Sequence, residues 1–353
     1  MAEVLRVVGR VTTDDQARQL AAASARMRAR GLASMILCGS GAPAIEAFGG
    51  GPTIEAPAIA RAWLRPWAAR WVVTGRPGLV HLLDPDLAAI GPALADRWKV
   101  PYLISFDEFP AADARLRLAG RWCRGVVAAE EDLAVELRVA WRLPSELVTA
   151  IAPGVEPVEP SPAPAPIGPG SGRLPVVGMA GRPGPDSGAA VFLEAARRVV
   201  AAGVDAEFLV AGEGRGPDDP RRLAGSLGLA GRVTFVDDPG LVGTFWRVLD
   251  VYCQPDLRPT TGRRLVEAMA RGVATVCSDV PGLRGTRGRG DRGPTVPPGD
   301  PEALAAAILG LLADRPRAVE VAARGREWVR LAHDPDREAD ELAALYRRAI
   351  AEG

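Results

Sequence analysis

The sequence predicts an α/β protein of two lobes, each an open parallel sheet covered by helices, and three observations carry that reading. The chain has 353 residues, more than the roughly 100–200 of one domain. On both sides of its midpoint, short runs rich in β-branched residues alternate with longer Ala/Leu/Arg stretches of helical period. Between them, APGVEPVEPSPAPAPIGPGSGRLP (152–175) is too dense in proline and glycine for a regular element and reads as a semi-rigid linker.

The expected layout is a first lobe over 1–154, a linker over 155–174 and a second lobe over 175–335. Strands are predicted at Val4–Val8, Ser34–Cys38, Leu79–Leu83, Tyr102–Ser105, Gly125–Ala128 and Leu147–Ile151. In the second lobe they fall at Val176–Met179, Glu207–Ala211, Val233–Val236, Val251–Gln254 and Ala274–Ser278. Helices of period 3.6 fill the gaps, among them Gly188–Ala202 and Leu265–Arg271. After Asp300 only helical stretches remain: Pro301–Ala313, Arg317–Leu331 and Pro335–Ala351. The last must bury an apolar face, so residues 336–353 are expected to pack back on the first lobe. Ligands of open parallel sheets sit beyond the carboxyl ends of the strands, so the site is expected between the two sheets.

Composition excludes several classes. With 48% hydrophobic and 24% charged residues the chain is an ordinary globular one. Its 43 basic residues, all arginine except Lys99, balance 43 acidic ones, which removes the positive field that nucleic-acid binding uses. The cysteines Cys38, Cys123, Cys253 and Cys277 form no C-x-x-C pair, which points to a reducing, cytoplasmic setting without disulfides or zinc. MAEVLRVVGRVTTDD has too short an apolar stretch for a secretory leader, and no run is long enough to span a membrane.

The most informative stretch is DVYCQPDLRPTTGRRLVEAMARGVATVCSDVPGL (250–283). A buried strand ends at Gln254, a Pro/Thr/Gly turn follows, and a helix opens near Gly262 with Arg263 and Arg264 in its first turn. Free N–H groups and the positive end of the helix dipole suit a phosphate there, and the two arginines are charge-assisted donors. Glu267 on the same helix can accept two ribose hydroxyls; a surface helix with a favourable glutamate near its start is the other reading.

These residues resemble the retaining glycosyltransferases of family 4. LVEAMARGVATVCSDVPG (265–282) is similar to the second half of the family's E-x7-E run. GMAGRPGPDSG (178–188) resembles its GR-x4-KG phosphate loop, AEFLVAGEG (206–214) its LxIVGxGP strand, and GRVTFVDD (231–238) its RVxFLG strand. Residues 279–300 match the length and ends of its VGGxxE…GxLVxPGD segment. VHLLD (80–84), VPYLISFDEFP (100–110), VVAAEEDLAVEL (126–137) and IAPGVEP (151–157) fall where the family has its first-lobe landmarks.

The resemblance covers nearly the whole chain and implies the GT-B fold, two Rossmann-like lobes with parallel sheets facing a central cleft. It implies transfer of a sugar, with retention, from a nucleotide diphosphate sugar to a glycan, lipid-linked or small-molecule acceptor, with no cofactor and no metal. Donor contacts carried over are Arg182, Ser187, Gly212, Gly262, Arg263, Arg264 and Glu267, and the catalytic set is Asp107, Arg182 and Glu267. Four positions depart from the pattern. Pro259 stands where the family has its sugar-side glutamate, Ser187 where it has the phosphate-loop lysine, Asp107 where it has a histidine, and Gly285 where it has the glutamate of GGxxE. Arg258, Arg263, Arg264, Arg284, Arg287 or Arg289 can replace the lost cation. A catalytically impaired nucleotide-sugar binding or scaffolding subunit is the alternative, and a sugar-nucleotide epimerase a third reading.

The remaining candidates have plain explanations beside functional ones. His81 reads as a structural histidine at a strand end, or as an acceptor-site group, and His333 as a surface residue. Asp107 and Glu108 follow a strand end and suit acceptor binding or acid/base work, or simple loop solvation. The triplets Asp84–Asp86 and Asp334–Asp336 imitate a metal-binding D-x-D without its context. Trp63, Trp67 and Trp71, interleaved with Arg61, Arg65 and Arg70, fit peripheral contact with a membrane surface or packing on the first sheet. The oligomeric state is not legible.

Overall fold

The computed structural model describes residues 2–11, 13–57, 76–110, 118, 121–158, 173–181, 184, 186–212, 219–236, 242–288 and 291–353. The stripe Trp63, Trp67 and Trp71 lies outside the described residues, as do Arg182, Arg289 and most of the linker.

Two sheets form, and every predicted strand is in one of them. The first runs β3-β2-β1-β4-β5-β6-β7, with β1 at Ala2–Val8, β2 at Leu32–Cys38, β3 at Thr53–Glu55, β4 at Leu79–Leu82, β5 at Tyr102–Phe106, β6 at Cys123–Ala128 and β7 at Val148–Ala150. The second runs β10-β9-β8-β11-β12-β13, with β8 at Val176–Ala180, β9 at Glu207–Ala211, β10 at Val233–Val236, β11 at Val251–Gln254, β12 at Ala274–Ser278 and β13 at Thr295–Val296. All pairings are parallel. In each sheet the order reverses beside the first strand, between β1 and β4 and between β8 and β11. β3 and β13 are absent from the sequence reading, because with three and two residues neither carries a periodic signal and each pairs only at a sheet edge.

The chain divides into two compact units, residues 1–156 with 333–353 and residues 157–332. Alternation along the strands loads both faces of each sheet. In the first unit Leu5, Val7, Val80 and Ile104 pack with the helices Ile90–Trp98 and Glu131–Trp141. Val4, Leu79 and Leu103 face the other way, onto Leu342, Leu345 and Tyr346 of the last helix, Pro335–Ala351. In the second unit Val177, Phe208, Val251 and Val276 pack with Phe192 and Ile308 of the helices Ala189–Ala201 and Pro301–Ala313. On the opposite face the Tyr252 and Trp246 rings meet at a 59° tilt, and Gly178 leaves room for Leu249, 2.5 Å from where a Cβ would lie.

Polar fasteners hold the last helix to the first unit. His81 Nδ1 is 2.6 Å from the Tyr346 hydroxyl and its Nε2 is 2.8 Å from Ser105 Oγ. The Gly154 amide donates to Glu338 Oε2 at 2.9 Å, and Arg30 pairs with Asp340 at 2.7 Å. His81, fully enclosed, is a structural residue. His333 is not the surface residue the sequence suggests. It is buried where the chain re-enters the first unit, with Nδ1 3.0 Å from the Pro153 carbonyl and its own carbonyl accepting from Val155 N at 2.8 Å. A tail-helix position said nothing of that return.

Candidate active site

The second unit gathers most of the predicted site residues at the carboxyl ends of its strands, beside the order reversal. The loop after β8 is drawn tight by its own side chain. Ser187 Oγ donates to the Gly184 carbonyl at 2.8 Å and accepts from the Gly184 and Ala189 amides at 3.2 and 3.4 Å. The hydroxyl at the position of the family's lysine is therefore spent on closing the loop. Gly188, at φ +68°, starts the helix Ala189–Ala201 with its backbone against Pro255. Leu257 N donates to the Asp186 carbonyl at 2.9 Å, and Arg258 Nε meets Asp186 Oδ1 at 2.8 Å. The loop after β8 and the turn after β11 are thus one backbone-locked assembly.

Gly262 starts the helix Arg263–Ala270 in the left-handed region, φ +63°, where L side chains are strained. A Cβ there would also crowd Thr286 Oγ1 at 2.9 Å. Thr286 Oγ1 donates to the Thr261 carbonyl at 2.9 Å, tying the helix opening to the short helix Leu283–Arg287. Arg263 Nε lies 3.6 Å from Glu267 Oε1, one helical turn on. Arg264 is exposed and makes no ion pair among the described residues. Gly212 follows β9, its amide bound to the Val236 carbonyl at 3.0 Å.

Of the arginines considered as replacements for the lysine, Arg258 is held by Asp186 and Arg284 by Asp279 at 2.5 Å. Arg263 and Arg264 remain on the helix opening itself. Asp107 belongs to the first unit, exposed just past β5, and Glu108 follows it. Glu130, past the end of the neighbouring β6, caps the helix Glu131–Trp141, and burial with Asp132 nearby pushes its carboxyl up to about 7.

Two residues escaped the sequence reading. Asp256 sits half-buried in the turn after β11, and burial raises its carboxyl to about 6 against the opposing pull of Gln254 and Arg264. Gln254 is buried beside it. The only signal in the sequence was a carboxylate immediately after the Gln-Pro that ends the strand. Among the described residues no three His, Cys, Asp or Glu side chains converge as a metal site. Asp84 instead accepts from the Gly9 amide at 2.5 Å, and Asp334 caps the last helix. The four cysteines are buried and free. No helix among the described residues is long and apolar enough to cross a membrane.

Residues 174–314 match the family described as Glycosyl transferases group 1. Phosphatidyl-myo-inositol mannosyltransferase of Mycolicibacterium smegmatis is 39% identical over 148 residues, 41% of this chain and 38% of that protein. The chain thus spans under half the length of that relative. The 2-deoxystreptamine glucosyltransferase of Streptomyces kanamyceticus is 26% identical over 302 residues, covering 77% of this chain and 75% of the relative. Among solved structures, Anabaena HepE in complex with UDP and glucose superposes with a TM-score of 0.77 at 16% identity, over 98% of this chain and 99% of that one. Residues 174–314 are thus similar to group 1 glycosyl transferases, and the two units share the GT-B fold of the solved structures.

Proposed function

We propose that the protein is a retaining glycosyltransferase that moves a sugar from a nucleotide diphosphate sugar to a hydroxyl-bearing acceptor. The carrying observation is the assembly at the carboxyl ends of β8 and β11, where a tight glycine loop abuts a helix opening that presents Gly262, Arg263 and Arg264. In this reading the diphosphate lies against the first-turn amides of that opening, and Arg264 is the cation that meets charge as the leaving group departs. Arg182, which follows β8 in the sequence, is a second donor to it. Glu267 takes the ribose hydroxyls, with Arg263 orienting its carboxylate. Asp107 serves the acceptor side, and guanidinium and amide donors take the part of a metal.

The relatives support this direction, being named mannosyl-, glucosyl- and kanosaminyltransferases. The HepE structures hold UDP and UDP-glucose. A non-catalytic subunit gains no support from them. The acceptor stays a general one, because the relatives named for phosphatidyl-myo-inositol and for 2-deoxystreptamine differ in acceptor chemistry. We place the enzyme in the cytoplasm, with contact to a membrane surface where a lipid-linked acceptor requires it.

Calorimetry with UDP, GDP and their hexose conjugates, followed by a donor-hydrolysis assay, tests the reading. Binding with slow hydrolysis, weakened about tenfold or more by Glu267→Ala, is expected, since lost hydrogen bonds to a charged group cost about 1.5–3 kcal/mol. A protein that binds no nucleotide refutes it.

A further inference from the structure

The carboxyl end of β11 holds two oxygen acceptors that the reading above leaves unused. Gln254, the last residue of the strand, is 6% exposed, and its side-chain Oε1 has no donor among the described residues. Nearly all buried polar atoms have a partner, so an orphaned amide oxygen needs a reason. Its side chain also acts on the carboxyl of Asp256, two residues on, holding it down against burial. The end of the amide left over is the oxygen. Tyr252, on the same face of β11, is fully buried with its hydroxyl 3.4 Å from the Ala180 carbonyl, so the strand is anchored beneath the pair. Arg264 acts on Asp256 electrostatically from the adjoining helix.

We propose that Gln254 and Asp256 form a hydroxyl-binding subsite for a sugar of the donor, beside the phosphate seat and distinct from it. The argument is one of donor and acceptor count. An amide oxygen and a carboxylate offer only lone pairs, and so does a phosphate, which would be repelled by Asp256 and would satisfy neither group. A sugar hydroxyl delivers a proton to such an acceptor and keeps a lone pair for Arg264. The phosphate therefore goes to the helix opening, and a hydroxyl goes to the end of β11. Pro259, four residues past Pro255, has no side-chain acceptor, whereas Asp256 has a carboxylate. This inference rests on the nucleotide-sugar reading of the second unit. Ribose and the transferred sugar both carry hydroxyls, and the experiment separates them.

The test is calorimetry on the full chain, comparing the protein with Asp256→Asn and Gln254→Met, against UDP, GDP, UDP-glucose and GDP-mannose, with the thermal midpoint of each variant. For whichever sugar nucleotide binds, affinity is expected to fall about tenfold or more in both variants. The midpoint of Gln254→Met should not fall, because a thioether of similar length replaces an orphaned acceptor. Loss confined to the sugar nucleotide assigns the subsite to the transferred sugar; equal loss for the free diphosphate assigns it to ribose. Unchanged affinities overturn the subsite while leaving the nucleotide site standing. An unaltered protein that binds none of the four overturns the nucleotide-sugar reading, and this inference falls with it. Should Gln254→Met fold poorly, the near-isosteric Asp256→Asn carries the decision.

Discussion

A Cβ on residue 188 would lie 1.9 Å from the carbonyl oxygen of Pro255, so Gly188 and Pro255 touch backbone to backbone. This contact, at φ +68° for Gly188, is where the loop after β8 seats on the end of β11. Gly188→Ala must both adopt a left-handed conformation and push the two segments apart. Left-handed strain alone costs about 1–3 kcal/mol. We expect a loss of at least that size in urea unfolding, together with weakened binding of the diphosphate. Native stability with full binding would show that the seat is not needed.

Ser187 closes its own loop through the Gly184 amide and carbonyl. Ser187→Ala should therefore cost about 0.5–1.5 kcal/mol of stability, the net worth of a neutral hydrogen bond. The salt dependence of diphosphate binding should be unchanged, because no charge is removed. Denaturation and calorimetry at two ionic strengths check both halves of the expectation.

His81 has no solvent and two hydroxyl partners, and burial, with Arg6 nearby, lowers its basicity from 6.5 to about 3. The folded chain thus holds it neutral while the unfolded chain protonates it. Its contribution is complete above about pH 6.5 and is lost as pH falls toward 3, with a slope of up to about 1.4 kcal/mol per pH unit. Denaturation of His81→Gln at several pH values should lack that component. Tyr346→Phe, which strips one partner from a buried ring nitrogen, should cost about 1–3 kcal/mol and loosen the last helix.

Asp256 acts in the opposite sense. Burial raises its carboxyl from 3.8 to about 6, so the folded state favours the proton. Stability from this group is present below about pH 3.8 and is lost as pH rises through about 6. The side chains that act on it are Gln254 and Arg264, and its charge in turn acts on Tyr252 and Cys277. Relative to the unaltered protein, Asp256→Asn should gain stability as pH rises from about 4 to 6 and hold that gain above it. A pH-independent difference would mean that the carboxyl titrates normally.

The strands of both sheets were legible because runs such as Val251–Gln254 and Val176–Met179 are nearly continuous in apolar residues, as buried parallel strands must be. β3 and β13 were not, since two or three residues acquire strand geometry only by pairing along an existing edge. The helix opening at Gly262 was legible from glycine followed by two arginines. The spending of Ser187 and of Arg258 was not, because each depends on a neighbour that the fold supplies: Gly184 within the loop for one, Asp186 across it for the other. His333 was misread for the same reason, its partner being Pro153, 180 positions away in the chain.

Local order in the amino acids thus determined two α/β sheets, a Pro-rich break between them and the helix opening at Gly262, since hydrophobic period, turn residues and helix starts act over a few neighbours. Only the tertiary structure decided which polar groups remain available at that opening. It turned Ser187 inward, paired Arg258 and Arg284 with carboxylates, and left Gln254 Oε1 buried without a donor among the described residues. Hydrogen-bond and ion-pair partners come from residues far apart in the chain, and the desolvation that raises Asp256 exists only once the chain has packed around it.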